Sequence, residues 1–343
     1  MRTFDYRFLP RQLSEGELGS LVMSIHEDKG RLDALRDGDA YVLEEMRAQA
    51  RFDNVDAALR IEGIYLDVSR VKGLLEGEDP LTDTEAQVKG YAKALDQIDG
   101  EAEVSSATIL SFYESVFSHR VLGRKSRYRK KDYLYVQVDG HPQAMPVSPI
   151  TAFETPLVLG GACDALAEAL ANNVCSPLVL SAVFTVDFLA IRPFDEGNGR
   201  IARLFAEFLL ERSGFDVFRY ASIDRLIEQS GMDYYNALNE CVEGWDKRRN
   251  DYVPYVRYWL EIVHAAYGRL FEEVRLRGAM GGKAERVRAF VRDAAHPVTK
   301  RQLRTAFPDV SEATIESTLG KMVKEGAAEK LGAGRATSYR WVR

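Results

Sequence analysis

Residues 191–203 read IRPFDEGNGRIAR, a polar run set between two apolar ones. Glycines flank Asn198, two acids (Asp195 and Glu196) precede them, and Arg200 and Arg203 follow. Consecutive amides of Gly197, Asn198 and Gly199 at the start of a helix make a cradle for an anion. Glycine lets phosphate oxygens come close to the backbone. Arg200 and Arg203, at i and i+3, can both reach one polyphosphate. Glu196 offers a hard oxygen to Mg²⁺, an ion that keeps several waters and shares phosphate oxygens. There is no GxxxxGKS, so this is not a Walker-type loop, and GAGRAT at 332–337 reads as a turn between strands. Arg192 heads the run. A guanidinium stays protonated and has no acceptor lone pair, so it cannot take up a proton.

The elements that must position this turn are mainly helical. Before it, PLVLSAVFTVDFLAI is apolar nearly all round, which predicts a central buried helix starting at Ser176 and Pro177. After it, Ile201, Leu204, Phe205, Phe208 and Leu209 keep helical spacing until Gly214. Residues 1–50 read as an N-terminal amphipathic helical region, and the pattern from Ala50 continues helically to EGEDP. TDTEAQVKGYAKALDQI and SATILSFYESVFSHR are two further helices. RKKDYLYVQVDGHPQAMPV alternates around Asp139-Gly140 and reads as a β-hairpin. Helices resume at Thr155 and run to about Arg277. RGAMGGK, residues 277–283, reads as a linker by composition, placed at 278–283. Residues 284–343 then give three short helical segments and two strands about a Gly-rich turn.

The net charge of −6 conceals an asymmetry: residues 283–343 carry +6 and the first 282 carry −12. A basic tail on an acidic body suggests two modules with different partners. Cys163, Cys175 and Cys241 lie in helical contexts without metal-ligand spacing and read as reduced thiols in a cytoplasmic protein. MRTFDYRFLPRQLSEGELG has no apolar signal segment, and the longest apolar stretch carries Asp187 and is too short for a bilayer. No membrane partner is expected.

RPFDEGNGRIAR resembles the signature of the Fic (Fido) family, HxFx[DE]GNGRxxR, at every position but the first. FETP before a helix, YASIDRLIEQSGMDYYNAL after it, and NDYVPYVRYWL extend the likeness across the chain. It implies a mainly helical Fic fold over residues 51–277 with a β-hairpin flap, then a winged helix-turn-helix domain at 284–343. It also implies a protein adenylyltransferase that moves AMP from Mg·ATP to a protein hydroxyl, while relatives transfer other groups. Carried over by position, Glu196 is the Mg²⁺ ligand and Gly197–Gly199 the anion hole. Arg200 and Arg203 hold the nucleotide phosphates, and Tyr234 and Tyr235 fall beside the adenine. Tyr133, Leu134, Tyr135, Val136, Gln137 and Val138 form the flap that aligns the target by strand addition. ALRIEGI, near 55–63, is similar to the family's inhibitory helix; its Glu62 would pair with Arg203, and Ala58 replaces a hydroxyl residue.

The family's first motif residue is a histidine acting as general base, and here it is Arg192. Three readings stay open. The chain is a nucleotide-binding pseudoenzyme, or a form of an active enzyme whose base has been replaced. Alternatively Arg192 stabilises phosphate charge while another group, with His141 nearest in sequence, acts as base. The basic tail adds DNA or protein contact as further partners, and a nucleotide-sensing DNA-binding regulator as a further class. Against DNA, Glu312 and Glu316 sit where a recognition helix would meet phosphate, while Arg335 and Arg340 could touch backbone.

Overall fold

The computed structural model describes residues 3–38, 40–99, 102–117, 128–132, 136–137, 144–145, 150–280, 283–294, 296–332, 334 and 337–342. The chain divides into two compact units, Met1–Glu27 with Gln49–Tyr267 and Asp28–Ala48 with Gly268–Arg343. The helices are α1 (Gly16–Gly38), α2 (Ala40–Arg60), α3 (Val68–Leu75), α4 (Asp83–Asp96), α5 (Ser106–Phe117), α6 (Thr155–Ala171), α7 (Pro177–Ile191), α8 (Asn198–Arg212), α9 (Ile223–Ser230), α10 (Met232–Val242), α11 (Val253–Met280), α12 (Lys283–Asp293), α13 (Lys300–Ala306) and α14 (Glu312–Lys324). The strands are β1 (Val136–Gln137), β2 (Ala144–Met145), β3 (Val298–Thr299), β4 (Ala328–Leu331) and β5 (Ser338–Trp341).

In the first unit α7 is the centre, buried from Leu178 through Ile191. Pro177 opens it and Ser176 holds the N-cap position, where its carbonyl, not its hydroxyl, meets the first amides, those of Val179 and Leu180. An all-apolar helix must be covered on every side. α6 and α8 pack on it, with Phe184 against Phe205 at 5.1 Å between ring centroids. α8 ends as expected: Gly214, at φ 79°, donates to Glu211 and Phe215 donates to Leu210. Thr82 caps α4 by accepting from the Glu85 amide at 3.2 Å.

One expectation needs correction. The helical pattern from Ala50 is broken at Ile61–Asp67 instead of running unbroken to EGEDP. Gly63 turns left-handed at φ 74°, the Ile64 amide bonds back to Leu59, and Asp67 restarts the chain by capping the Ser69 amide at 2.8 Å. The break leaves Glu62 in the turn just after α2. β1 and β2 pair antiparallel, Val136 opposite Met145 and Gln137 opposite Ala144. Tyr133, Leu134, Tyr135, Val138 and His141 lie outside the described residues.

In the second unit α12, α13 and α14 enclose a core of Val287, Val291, Leu303, Phe307, Ile315, Leu319 and Met322. An antiparallel sheet in the order β3-β5-β4 closes one side. Only β4 and β5 are legible as strands; β3 is two residues long and runs directly into the Thr299–Gln302 capping box of α13. Arg335 lies outside the described residues, and Arg340 pairs with Glu329.

The acid that interrupts α7 is fully satisfied. Asp187, 0% exposed, accepts from Tyr6 Oη at 2.8 Å, Trp245 Nε1 at 2.7 Å and Tyr252 Oη at 2.8 Å. It therefore ties the N-terminal segment and the stretch before α11 to the central helix. Asp187→Ala strands three buried donors, each costing about 1–3 kcal/mol. Urea denaturation should show a loss of at least about 3 kcal/mol.

Candidate functional site

The turn between α7 and α8 is built by residues that each serve its shape. α7 stops at Arg192, which adopts φ 48° and ψ 70° while its amide still bonds Phe188 O at 2.9 Å. A left-handed arginine costs about 1–2 kcal/mol, so neighbours must hold it there. Phe194 provides an anchor: it is buried and stacks on Tyr113, 3.9 Å between centroids and 13° between planes. Pro193 O accepts from the Arg129 amide at 2.9 Å. Asn198 closes the loop with its carboxamide, accepting from Phe194 N at 3.0 Å and donating to Phe194 O at 2.8 Å. Gly197 has two reasons to be glycine: φ is 72°, and a Cβ there would sit 2.5 Å from Phe117 Cζ.

A carboxylate of the chain itself sits at the head of α8, on the Arg200 amide, one residue past the Gly197–Gly199 amides expected to form the cradle. Glu62 Oε1 accepts from the Arg200 amide at 3.1 Å, and Glu62 Oε2 lies 2.8 Å from Arg200 Nε. Arg200, 3% exposed, also donates from Nη1 to Gln87 Oε1 at 2.6 Å and stands over the Phe117 ring at 5.2 Å. The side chain of Glu62 is 23% exposed. A carboxylate at a helix N-terminus satisfies an orphan amide and meets the positive end of the dipole. It occupies the kind of place an anionic ligand would take.

Arg203 departs from expectation. Its direct ion pair is with Asp224, Nε to Oδ1 at 2.5 Å, not with Glu62. Arg203 is 1% exposed and Asp224 is 0% exposed. Arg203 Nη2 donates to Ala58 O at 3.3 Å, and the guanidinium lies 6.0 Å from the Tyr234 ring centroid. Tyr91 Oη donates to the other Asp224 oxygen at 2.5 Å. The physical reason is the neighbouring carboxylate: both arginines are buried, and α9 delivers Asp224 beside Arg203, while Glu62 at the end of α2 meets Arg200. The two arginines still share a boundary: a Cβ on Gly199 would lie 3.2 Å from Arg203 Nη1 and 3.5 Å from Glu62 Oε1.

Glu196 precedes the turn and is half-buried, and Asp195 beside it is exposed. Among the described residues no group of three or more His, Cys, Asp or Glu side chains could hold a metal. One carboxylate next to an amide cradle fits an ion that shares phosphate oxygens, as Mg²⁺ does. It does not fit a metal held by protein alone. Tyr234 is buried at 2% exposure, with Tyr235 edge-on at 5.1 Å. Tyr235 Oη donates to Ile61 O at 2.7 Å, bracing the turn that carries Glu62. Gln87, Tyr91, Phe117 and Asp224 escape sequence reasoning. Only Asp224 leaves a trace, as an acid in a helix first turn after Ser222, and that position is ordinary for dipole reasons alone.

Beneath Arg203, Glu207 is 0% exposed and neither carboxylate oxygen meets a hydrogen-bond partner. Burial, then the nearby Asp224 charge, raises its carboxyl well above the usual carboxylate range, with Arg203 opposing. The neutral acid is thus favoured in the fold. Because the folded pKa is raised, this group's contribution is intact below the unfolded value near 4.3 and is lost as pH rises above it. Glu207→Gln cannot ionise. Its melting temperature relative to the parent should climb steadily between pH 5 and pH 8, measured by thermal scans across that range; a pH-independent difference would mean that Glu207 is ionised in the fold as it is in the unfolded chain.

Comparison with known proteins converges on the same region. The Fic/DOC family model matches residues 104–210. Protein adenylyltransferase Fic of Drosophila grimshawi is 23% identical over 251 residues, 69% of this chain and 46% of that protein. The chain therefore spans about half the length of that curated relative. A Fic family protein from Desulfovibrio desulfuricans G20 aligns with TM-score 0.62 at 20% identity, over 94% of this chain and 95% of that one. A Fic domain containing signaling protein from Bacteroides thetaiotaomicron aligns with TM-score 0.61 at 18% identity, over 74% of this chain and 97% of its own. Fic-1 from C. elegans, residues 134–508, aligns with TM-score 0.58 at 20% identity, over 76% of this chain and 73% of its own. The mainly helical architecture is the Fic fold, and the chain carries a Fic/DOC family domain.

Proposed function

We propose that the turn at 197–203 binds Mg·ATP in the manner of a protein adenylyltransferase, and that AMP transfer is impaired because Arg192 stands where a base is required. The observation that carries the reading is the Glu62 carboxylate on the Arg200 amide and guanidinium, an anion already seated at the head of α8. The Drosophila relative is by name a protein adenylyltransferase. In the reaction a protein hydroxyl oxygen attacks the α-phosphorus, pyrophosphate leaves, and the hydroxyl proton needs an acceptor. Arg200 and the α8 amides offset phosphate charge, Glu196 would hold Mg²⁺, and the ion would neutralise charge shared between phosphates. Val136 and Gln137 of β1 belong to the edge along which a target segment would align. Arg192 can counter phosphate charge but cannot accept the proton. Losing a positioned base costs roughly 10²–10⁴-fold in rate, which makes the chain as it stands chiefly a nucleotide binder. The target is a protein hydroxyl, with this chain itself among the candidates.

Two measurements test this reading. Glu62→Gly opens the cradle and should tighten Mg·ATP binding by roughly tenfold or more, as one charge-assisted contact allows. In calorimetry that gain should vanish on adding Arg200→Ala; equal affinity for parent and Glu62→Gly would mean Glu62 restrains nothing. Arg192→His supplies a neutral imidazole near physiological pH. Combined with Glu62→Gly it should transfer label from [α-³²P]ATP to the chain or a partner, while Glu62→Gly alone stays near background. Labelling by Glu62→Gly alone would show that Arg192 is not the defect.

For the second unit we favour a winged helix that meets a polyanion through α13. Lys300, Arg301 and Arg304 line a groove of about 520 Å³ together with Thr305 and Glu312. The acids of α14 are held there by counter-charges: Lys300 Nζ lies 2.5 Å from Glu316, and Arg304 Nη1 lies 3.3 Å from Glu312. Duplex DNA should then bind at low salt and dissociate steeply as salt is added, through counterion release. Absence of a mobility shift at low salt would leave protein contact as the better account.

A further inference from the structure

Arg200 and Arg203 belong to one motif but are held in different ways. Arg203 cannot swing out: it is 1% exposed, its Nε is taken by Asp224 and its Nη2 by Ala58 O. A guanidinium is planar and its donors point in fixed directions. Holding Nε and Nη2 therefore aims Nη1, and Nη1 is the atom 3.2 Å from a Cβ built on Gly199. Asp224 is fixed in turn, because Tyr91 Oη donates to its second oxygen at 2.5 Å and Ser222 caps the helix carrying it, accepting from Arg225 N at 3.0 Å. Arg200 has a different set of partners. Its carboxylate is Glu62, on a side chain 23% exposed, and its other contacts are the neutral Gln87 amide and the Phe117 ring. Removal of Glu62 leaves Arg203 with its counter-charge and leaves Arg200 in need of an anion.

We propose that Asp224, aimed by Tyr91, is the positioning residue of the phosphate site: it locks Arg203 with Nη1 turned to Gly199, so that Arg203 is a fixed donor and Arg200 is the arginine that exchanges Glu62 for phosphate. The assignment rests on the reading that phosphate binds at this turn. It divides labour between the two arginines. One shapes the cradle permanently, and the other reports whether the cradle is occupied by the chain or by nucleotide.

The test is a mutant cycle in the full-length Glu62→Gly chain, read as Mg·ATP affinity by calorimetry with melting temperature alongside. Arg203→Gln and Asp224→Asn should each weaken binding by about tenfold or more, the scale of one charged hydrogen bond. The double variant Arg203→Gln/Asp224→Asn should bind no worse than Arg203→Gln alone, because Asp224 acts through Arg203. Its melting temperature should recover above both single variants, since it leaves no buried charge unpaired. That split, recovered stability without recovered affinity, is what a merely structural pair would not give. Tyr91→Phe keeps the ion pair and should still weaken Mg·ATP binding several-fold, which covers the case in which Asp224→Asn does not fold. The proposal is overturned if the double variant binds like its Glu62→Gly parent, or if the two losses multiply. Arg200→Gln separates the two levels. If it abolishes binding while Tyr91 and Asp224 variants bind normally, only the positioning role fails. If neither Arg200→Gln nor Arg203→Gln affects binding, phosphate is not held at this turn and both readings fall.

Discussion

The buried charge of Arg203 is the constraint from which the arrangement of the site follows. A guanidinium removed from water costs several kcal/mol unless a carboxylate meets it with good geometry. Asp224 does so at 2.5 Å with both groups essentially unexposed. Meeting that demand fixes α9 against α8. It also draws in α4 through Tyr91 and the end of α2 through Ala58 O. Three helices are thereby placed around the head of α8 by one ion pair and its hydrogen bonds. Glu207, buried one turn further along α8, adds a second acid whose carboxyl is pushed well above the usual carboxylate range by burial and then by the nearby Asp224 charge.

Polar contacts then set where α2 ends. Asn54 donates to Phe218 O at 3.2 Å and accepts from Ser222 Oγ at 2.6 Å. Arg225 reaches Asp56 at 2.6 Å, and Asp56 also takes Arg60 at 2.8 Å. With Gly63 turning the chain and Tyr235 holding Ile61 O, the carboxylate of Glu62 has little freedom in direction. It reaches the Arg200 amide, in the first turn of α8, and the Arg200 guanidinium. The pairing of Glu62 with Arg200 follows from Asp224 already holding Arg203, not from any preference in the acid itself.

This explains what was readable from sequence. α7 and α8 are legible because hydrophobic period, Pro177 and Gly214 all report local backbone preferences, and the GNG turn is legible because its glycines answer local sterics. Glu62 is legible as an acid before a glycine, but its partner is not. Arg200 and Arg203 are one turn apart on the same helix, and the choice between them is made by Asp224, on another helix. Asn198 is legible as part of the turn while its job is not: its carboxamide bridges the backbone N–H and C=O of Phe194 and so closes the loop. The break of α2 before Asp67 is illegible for a related reason. Ile61, Ile64 and Val68 keep a helical apolar rhythm across it, and a single left-handed glycine decides otherwise.

The persistence of Glu62 beside a site whose base position holds Arg192 has a physical explanation independent of regulation. Without an anion, Arg200 would be a cation at 3% exposure facing the positive end of α8, with Gln87 and Phe117 offering only a dipole and a ring face. Glu62 answers both demands with two oxygens, one on the Arg200 amide and one on its guanidinium. Whatever removes Glu62 must bring a comparable negative charge to the same place, which nucleotide phosphate can do and water cannot. On the proposed reading, the contact that neutralises Arg200 is also the one that nucleotide phosphate must displace. On that reading, an arginine in place of a proton acceptor at position 192 would remove the need to restrain transfer but leave the need to neutralise Arg200 untouched. A chain that no longer transfers would still keep an acid at position 62.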